Sequence, residues 1–243
     1  MGRLTWAPAE VVGKTHETER VATLALRVPG WPGHRPGQHI DVRLTAEDGY
    51  QAQRSYSLAS APEAGDIEIT VEKIDDGEVS PYLVDEVVVG DVFEIRGPVG
   101  GYFVWDGSDP GPLFLVGGGS GVVPLMSMIR HAVTLNGNSS PVRLLYSSRS
   151  LGDVIYREEL EEYGSNGIEV IHTLTRSRPE GWRGYSRRVD EEMIAETTFP
   201  PPRMPISFIC GPTSFVEGVA NYLLGAGHPA DRIKTERFGP SGS

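Results

Sequence analysis

The feature that most constrains the fold is a glycine-rich stretch in the middle of the chain, LFLVGGGSGVVPL at residues 113–125. Four apolar residues run into three consecutive glycines, and Ser120, Gly121 and Pro124 follow. This order predicts a buried strand, a tight loop of backbone amides and the first turn of a helix. Because amides at a helix N-terminus attract a pyrophosphate, the stretch indicates a dinucleotide site.

The same stretch does not fit the dinucleotide fingerprint G-x-G-x-x-G. Counting from Gly117 the sixth position is Val122, and counting from Gly119 it is Pro124. A tight strand-to-helix turn that binds nothing therefore remains an alternative for this motif taken alone.

Beyond this stretch, strand-like and helix-like segments alternate to the end of the chain. Near-continuous apolar runs at residues 142–148 and 206–211 alternate with amphipathic segments at residues 122–135 and 214–227. Such alternation predicts a parallel sheet that is covered by helices on both faces. We therefore expect residues 109–243 to form an α/β, Rossmann-like, dinucleotide-binding domain.

Residues 1–108 show a different pattern, in which short segments of alternating polarity, such as residues 21–28, are separated by turn clusters. This pattern predicts an antiparallel β-barrel or sandwich. One short helix is expected at residues 80–87, with Ser80 as its N-cap. The Pro-, Gly- and Asp-rich stretch at residues 105–112 has no periodicity, which is typical of a domain junction.

Composition excludes several classes of protein. The net charge of −11 argues against binding to nucleic acid or to an anionic membrane. Cys210 is the single cysteine, so these residues provide neither a disulfide nor the thiolates of a zinc site or iron–sulfur cluster, and we expect no metal site. The start of the sequence lacks an apolar signal region, and no apolar run is long enough to span a membrane. We expect a soluble, cytoplasmic protein.

Three further motifs carry side chains suited to ligand binding. Arg54–Ser57, RSYS, lies on a predicted strand and combines a guanidinium fork for phosphate, a flat aromatic face and hydroxyl groups. Gly77–Ser80, GEVS, opens the short predicted helix, and Cys210–Pro212, CGP, follows a predicted strand of the second half. Each motif taken alone could also be plain structure: a half-buried strand, a capped helix and a small buried thiol.

The order of these motifs resembles the ferredoxin-NADP reductase superfamily. Arg-x-Tyr-Ser, Gly-x-x-Ser, Gly-Gly-Gly-Ser-Gly-x-x-Pro and Cys-Gly-Pro follow one another over essentially the whole chain. Pro36–Gln38, Gly97–Gly100 and Glu236–Phe238 also look like strings of that family. The resemblance implies a two-domain protein, with an FAD-binding antiparallel β-barrel at residues 1–108 followed by an NAD(P)-binding α/β domain at residues 109–243.

The resemblance also implies the residues of a flavin site. Arg54 would contact the flavin phosphate, Tyr56 would stack on the isoalloxazine, and Ser57 would hydrogen-bond near N5. The loop at residues 77–80 would cradle a pyrophosphate, which favours FAD over FMN. The implied flavin-binding set is Arg54, Ser55, Tyr56, Ser57, Gly77, Val79, Ser80 and Phe238.

The implied catalytic residues are Ser57, Cys210 and Glu236. Cys210 would lie beside the nicotinamide C4, and Glu236 would help protons to reach the flavin, while Phe238 would cover one flavin face. A last strand with an inward Phe and a solvated Glu is the alternative for Glu236 and Phe238.

The implied nicotinamide dinucleotide site is larger. Thr175-Arg176, Arg183 and Tyr185 resemble a set seen in NADPH-using relatives, so we expect NADPH rather than NADH. Thr-Arg at this place also occurs in NADH-using members, so NADH stays possible. The NAD(P)-binding set is Gly118, Gly119, Ser120, Gly121, Ser148, Arg149, Thr175, Arg176, Arg183, Tyr185, Cys210, Gly211 and Pro212.

The resemblance implies an NAD(P)H oxidoreductase that transfers a hydride from nicotinamide to flavin. With one cysteine and no cluster, we expect the electrons to pass to a separate acceptor: a ferredoxin, a flavodoxin or an oxygenase component. Residues 1–108 carry 9 Lys and Arg against 18 Asp and Glu, which would repel an acidic ferredoxin at long range. The alternatives are an NADH-dependent reductase component, an electron-transfer subunit of a larger complex, and a non-catalytic flavin- or nucleotide-binding regulatory module.

Overall fold

The computed structural model describes residues 4–135 and 140–238, and its first half is an antiparallel six-stranded sheet. The strand order is β4-β3-β6-β1-β2-β5, and a bridge between Leu58 and Ile69 joins the two outer strands. This confirms the barrel-like antiparallel domain predicted from the sequence. The strands are β1 (Ala7–Thr18), β2 (Val21–Arg27), β3 (His39–Thr45), β4 (Gln51–Ser57), β5 (Ile67–Glu72) and β6 (Val92–Val99).

The second half is a parallel five-stranded sheet in the order β11-β10-β7-β8-β9, with buried apolar clusters that involve helices on both faces. The order in which the strands follow one another along the chain reverses between β7 and β10. This reversal leaves a crevice outside the carboxyl ends of the two strands, which is where open α/β sheets bind ligands. No helix within the described ranges is long and apolar enough to cross a membrane. The elements are β7 (Leu113–Gly118), α1 (Val122–Thr134), β8 (Val142–Ser148), α2 (Arg157–Ser165), β9 (Glu169–Leu174), α3 (Glu191–Thr197), β10 (Ile206–Pro212), α4 (Thr213–Gly225) and β11 (Ile233–Phe238).

The short helix of the barrel differs from the prediction, because Ser80 does not cap it. A π-helical turn spans Tyr82–Glu86, and Pro81 stands at its N-cap without a side-chain hydrogen bond. The Ser80 hydroxyl instead accepts a hydrogen bond of 3.0 Å from the Ile74 amide. Since that hydroxyl ties the two ends of the intervening loop together, Ser80 shapes the loop that carries Gly77 rather than the helix that follows.

Arg130 of α1 joins the two domains through ion pairs with two carboxylates. Its guanidinium lies 2.6 Å from Glu68 of the barrel and 2.7 Å from Glu159 of α2, and it donates to the Ala59 carbonyl at 3.0 Å. The Arg130 side chain is only 17% exposed, so removal of either partner would leave charge poorly solvated. The interface therefore holds the barrel and the α/β domain in one arrangement.

A closed ring of hydrogen bonds at the start of α2 supports the same interface. The Tyr156 hydroxyl bonds the Thr70 hydroxyl, which lies 2.8 Å from that of Thr23. Thr23 donates to the Glu17 carboxylate at 2.7 Å, and the Tyr156 amide donates to the same carboxylate at 3.1 Å. Tyr156 has a φ of 58°, a left-handed conformation that a bulky side chain adopts only when its surroundings hold it there.

Tyr156→Phe removes one hydroxyl from this ring and is expected to lower the free energy of unfolding by about 1–2 kcal/mol, because the buried Thr70 hydroxyl loses a partner. Urea denaturation of the purified protein measures it. Tyr163→Phe is the matched control, since the half-buried Tyr163 hydroxyl donates to Glu159 within the same helix, at 2.8 Å. Equal destabilisation by the two substitutions would contradict a special role for the interdomain ring.

Candidate functional site

The barrel opens into a cavity of about 310 Å³ between β4 and β5. The two strands meet at the bridge between Leu58 and Ile69, and the cavity lies where they diverge beyond it. Arg54, Ser55, Tyr56 and Ser57 of β4 line one wall, and residues of β5 and the Gly77–Ser80 loop line the rest. We call this space the barrel cavity. All eight residues predicted to bind flavin line it: Arg54, Ser55, Tyr56, Ser57, Gly77, Val79, Ser80 and Phe238.

The side chains that line the barrel cavity suit a flavin nucleotide. The Arg54 guanidinium faces the Gly77–Ser80 loop, with Nη2 at 3.7 Å from Glu78 Oε2, so a cation stands beside the predicted pyrophosphate cradle. Burial raises the pKa of the Tyr56 phenol, which keeps it neutral and suited to stacking on a ring system. The Ser55 hydroxyl is already committed, because it donates to Asp41 at 2.6 Å.

A second cavity of about 530 Å³ lies at the carboxyl ends of the parallel strands, and we call it the dinucleotide cleft. Gly119 has a φ of 57°, a left-handed conformation that favours glycine. A Cβ at Gly121 would collide with the carbonyl oxygen of Cys210, so only glycine lets the loop lie against β10. The glycines thus form a cradle of backbone that a phosphate can approach closely.

The structure brings many of the predicted NAD(P)-binding residues to this cleft, and it adds others. The added residues include Thr18, Arg20 and Glu72, which come from the barrel, and Arg188, which precedes α3. No local motif indicates the three barrel residues, because only the docking of the two domains brings them to the cleft, whereas Arg188 lies in an arginine-rich segment of the α/β domain at residues 183–188. The predicted residues that line it are Gly118, Gly119, Ser120, Ser148, Arg149, Thr175 and Pro212.

The arginine set predicted for NADPH is not assembled in one place. Arg183 and Tyr185 line a separate surface groove beside His172 and β9. The Tyr185 hydroxyl donates to Glu196 at 2.6 Å, and Tyr185 extends the edge of the sheet by pairing with Thr173. Arg176 is not among the residues that line the dinucleotide cleft. These three residues therefore stay predictions, without geometric support from the cleft.

Cys210 and Glu236 lie side by side in neighbouring strands, in register on β10 and β11. Cys210 is 1% exposed, and burial together with the nearby Glu236 carboxylate raises the pKa of its thiol. Burial raises the pKa of Glu236 to about 7, and its Oε2 atom is buried without a hydrogen-bond partner among the described residues. Neither residue lines the barrel cavity or the dinucleotide cleft, and neither does Gly121 or Gly211, so the structure places this pair outside the walls of both cavities.

The barrel cavity and the dinucleotide cleft meet. Glu72, Ser120 and Phe238 line both of them. Phe238 is 37% exposed at this junction. Ligands that fill the two spaces would therefore approach each other at Phe238, at the boundary between the two domains.

A barrel cavity suited to flavin, joined to a dinucleotide cleft, defines a class of protein: oxidoreductases that bind FAD and NAD(P). The family model of the oxidoreductase FAD-binding domain matches residues 8–104, and that of the oxidoreductase NAD-binding domain matches residues 115–221. The chain belongs to the ferredoxin-NADP reductase superfamily.

Individual relatives share this organisation. The chain is 34% identical to a glycine betaine monooxygenase reductase subunit of Pseudomonas aeruginosa, over 85% of this chain and 57% of that protein. It is 28% identical to the reductase component of propane 2-monooxygenase of Mycolicibacterium goodii, over 94% of this chain and 66% of that protein. It thus spans about three fifths of the length of these relatives. A solved structure, the ferredoxin reductase in carbazole 1,9a-dioxygenase, matches with a TM-score of 0.82 and 25% identity, over 97% of this chain and 70% of that one.

The raised pKa of Glu236 predicts that the stability of the folded protein depends on pH. Its carboxyl has a raised pKa in the folded state, so between pH 4.5 and about 7 the unfolded chain loses the proton while the folded protein keeps it. Stability should fall with rising pH across this window, by up to about 1.4 kcal/mol per pH unit from this group alone. Glu236→Gln removes that contribution, so the variant should gain stability relative to wild type as pH rises from 5 to 8.

Urea denaturation at both pH values checks this expectation. Glu217→Gln, an exposed position on α4, is the control and should leave the difference unchanged. Parallel pH dependence of the wild type and Glu236→Gln would contradict a buried, protonated Glu236.

Proposed function

We propose that this chain oxidises NADPH and passes the electrons, one at a time, to a separate protein acceptor. The observation that carries the proposal is the junction at Ser120 and Phe238, where the barrel cavity and the dinucleotide cleft meet. Reacting groups held in two joined cavities are already close, and that proximity lowers the barrier to transfer between them. The printed names of the relatives, as reductase components of monooxygenases, support the same reaction.

Bound FAD would supply the step between a two-electron donor and a one-electron acceptor. The protein would hold and orient it: Arg54 and the loop at residues 77–80 bind its phosphates, Tyr56 packs against the ring, and Ser57 hydrogen-bonds near N5. Phe238 stands at the junction, where it can shield the ring until the nicotinamide enters. Cys210 and Glu236, side by side on β10 and β11, would set the nicotinamide approach and supply a proton.

The preference for NADPH rests on two arginines of the dinucleotide cleft. Arg149 follows β8, Arg188 precedes α3, and both are exposed and line the cleft. Within the part of the chain that the structure describes, neither side chain makes an ion pair. Two uncommitted guanidinium groups suit the extra 2′-phosphate of NADPH, which NADH lacks.

The acceptor that we propose is an oxygenase component or a small electron carrier whose surface is not strongly acidic. The barrel presents an excess of carboxylates, so an acidic carrier would be repelled at long range. An electron-transfer subunit in a permanent complex is the second candidate, because the printed names of two relatives are those of a reductase component and a reductase subunit. Size-exclusion chromatography of the native protein distinguishes the two.

Ser57→Ala should lower the rate of flavin reduction about tenfold or more while the affinity for NADPH stays within about twofold, because the lost hydrogen bond acts on the reacting atom. Anaerobic stopped-flow absorbance measures both quantities. Ser108→Ala is the matched control, since its hydroxyl donates to Asp106 at 2.6 Å and the residue lines neither cavity, and it should reduce at the wild-type rate. A Ser57→Ala effect confined to affinity would exclude the proposed role.

Arg149→Gln combined with Arg188→Gln should weaken NADPH binding about tenfold or more and leave NADH binding nearly unchanged, because only NADPH carries the 2′-phosphate. Titration of the FAD-loaded protein with NADP⁺ and NAD⁺ measures the two affinities. Arg157→Gln combined with Arg203→Gln is the control, since neither residue lines the cleft, and it should change neither affinity. Equal losses for both nucleotides in the first variant would reject the assignment of these arginines.

A further inference from the structure

The barrel contributes a wall to the dinucleotide cleft, and that wall contains one cationic side chain. Thr18, Arg20, Val21 and Glu72 form this wall, opposite the glycine loop of the α/β domain. Arg20 stands in the tight turn between β1 and β2, next to an acidic residue, Glu19. No sequence motif indicates Arg20, and none of the proposed contacts to the cofactors involves it.

Local contacts hold Arg20 in place. Its carbonyl accepts from the Lys73 amide at 2.8 Å, and its Nη2 donates to the Lys73 carbonyl at 2.9 Å and to Asp75 at 2.8 Å. Among residues 4–135 and 140–238, both side-chain hydrogen bonds of Arg20 use Nη2. The Nε and Nη1 donors thus remain to bind a ligand, and the side chain is 46% exposed.

Carboxylates surround Arg20, and the ligand expected in the cleft is also negatively charged. Glu72 lines the same wall of the cleft, and Glu19 and Asp75 lie nearby, so the three carboxylates raise the pKa of Arg20. A dinucleotide that enters the cleft brings at least two negative phosphate charges. Without Arg20, the barrel wall would offer those phosphates only a carboxylate and two uncharged side chains, which would disfavour binding.

The position of Arg20 indicates which phosphates it can reach. Val21, the next residue, pairs with Glu72 across β2 and β5, and Glu72 also lines the barrel cavity. Arg20 therefore lies toward the flavin end of the cleft. Arg149 and Arg188 belong to the α/β domain, where they follow β8 and precede α3. The pyrophosphate lies closer to the nicotinamide than the 2′-phosphate of the adenosine does, so it is the phosphate group nearer to the flavin end of the cleft and to Arg20.

We propose that Arg20 binds the pyrophosphate of NAD(P)H from the barrel side, facing the glycine loop across the cleft. This inference rests on the proposed function, because it assigns a residue to the same cleft. Each domain would then hold one side of the pyrophosphate, and the dinucleotide would tie the barrel to the α/β domain. Arg20 would thereby increase affinity for NADPH and NADH alike, without discriminating between them.

The test is binding of NAD⁺, NADP⁺, ADP-ribose and 2′-AMP to the FAD-loaded protein, measured by calorimetry at two ionic strengths. Arg20→Gln should weaken NAD⁺, NADP⁺ and ADP-ribose by a common factor of about ten, because each carries the pyrophosphate. Binding of 2′-AMP, which lacks it, should change by less than about twofold. The salt dependence of ADP-ribose binding should also be shallower in the variant.

Two substitutions separate phosphate binding from a structural effect. Arg27→Gln removes an arginine of the same barrel that pairs with Asp66 at 3.2 Å and does not line the cleft, and it should bind every probe like wild type. Asp75→Asn breaks the ion pair that anchors Arg20 but keeps the guanidinium, so ADP-ribose binding should be at least as tight as in wild type.

The outcomes are distinct. Wild-type affinity of Arg20→Gln for ADP-ribose, or an equal loss in Asp75→Asn, would overturn the role of Arg20 and leave the proposed function standing. Failure of the wild-type protein to bind NAD⁺, NADP⁺ or ADP-ribose would overturn the proposed function and this inference together. Selective loss of NADP⁺ and 2′-AMP in Arg20→Gln would overturn the pyrophosphate assignment by placing Arg20 at the 2′-phosphate.

Discussion

The docking of the barrel against the α/β domain is the constraint on which the rest of this structure depends. Neither cavity is complete in one domain: the barrel cavity includes Ser120 and Val123 from the α/β half, and the dinucleotide cleft includes Thr18, Arg20 and Glu72 from the barrel. Arg130, held between Glu68 and Glu159, fixes this arrangement with a buried charge that is satisfied only when both domains are in place. The distance and orientation between ligands held in the two cavities therefore depend on the contacts of Arg130.

Much of the fold could be predicted from the sequence because its signals are local. Alternating polarity predicted the antiparallel barrel, and apolar runs predicted parallel strands such as those at residues 142–148 and 206–211, since both patterns report which faces are buried. The lining of the barrel cavity could be predicted because Arg54–Ser57 and Gly77–Ser80 are contiguous motifs, and the fold brings both to that cavity.

The remaining features depend on tertiary contacts that no short pattern reports. Serine is a favoured residue at helix N-caps. The Ser80 hydroxyl nevertheless accepts a hydrogen bond from the Ile74 amide, because the loop folds back on itself. Arg183 and Tyr185 follow the third parallel strand closely in sequence, but their segment pairs with the edge of the sheet and turns away from the cleft. Arg20 reaches the cleft from a turn of the barrel whose sequence carries no signal for a ligand.

The central proposal is that nicotinamide in the cleft would reduce flavin in the barrel cavity across their shared junction. The most direct measurement is to load the purified protein with FAD, exclude oxygen, and follow the flavin absorbance after addition of NADPH or NADH. The account predicts that the flavin is bleached, and that NADPH at limiting concentration bleaches it faster than NADH. Persistence of the oxidised flavin spectrum with both nucleotides would contradict the claim.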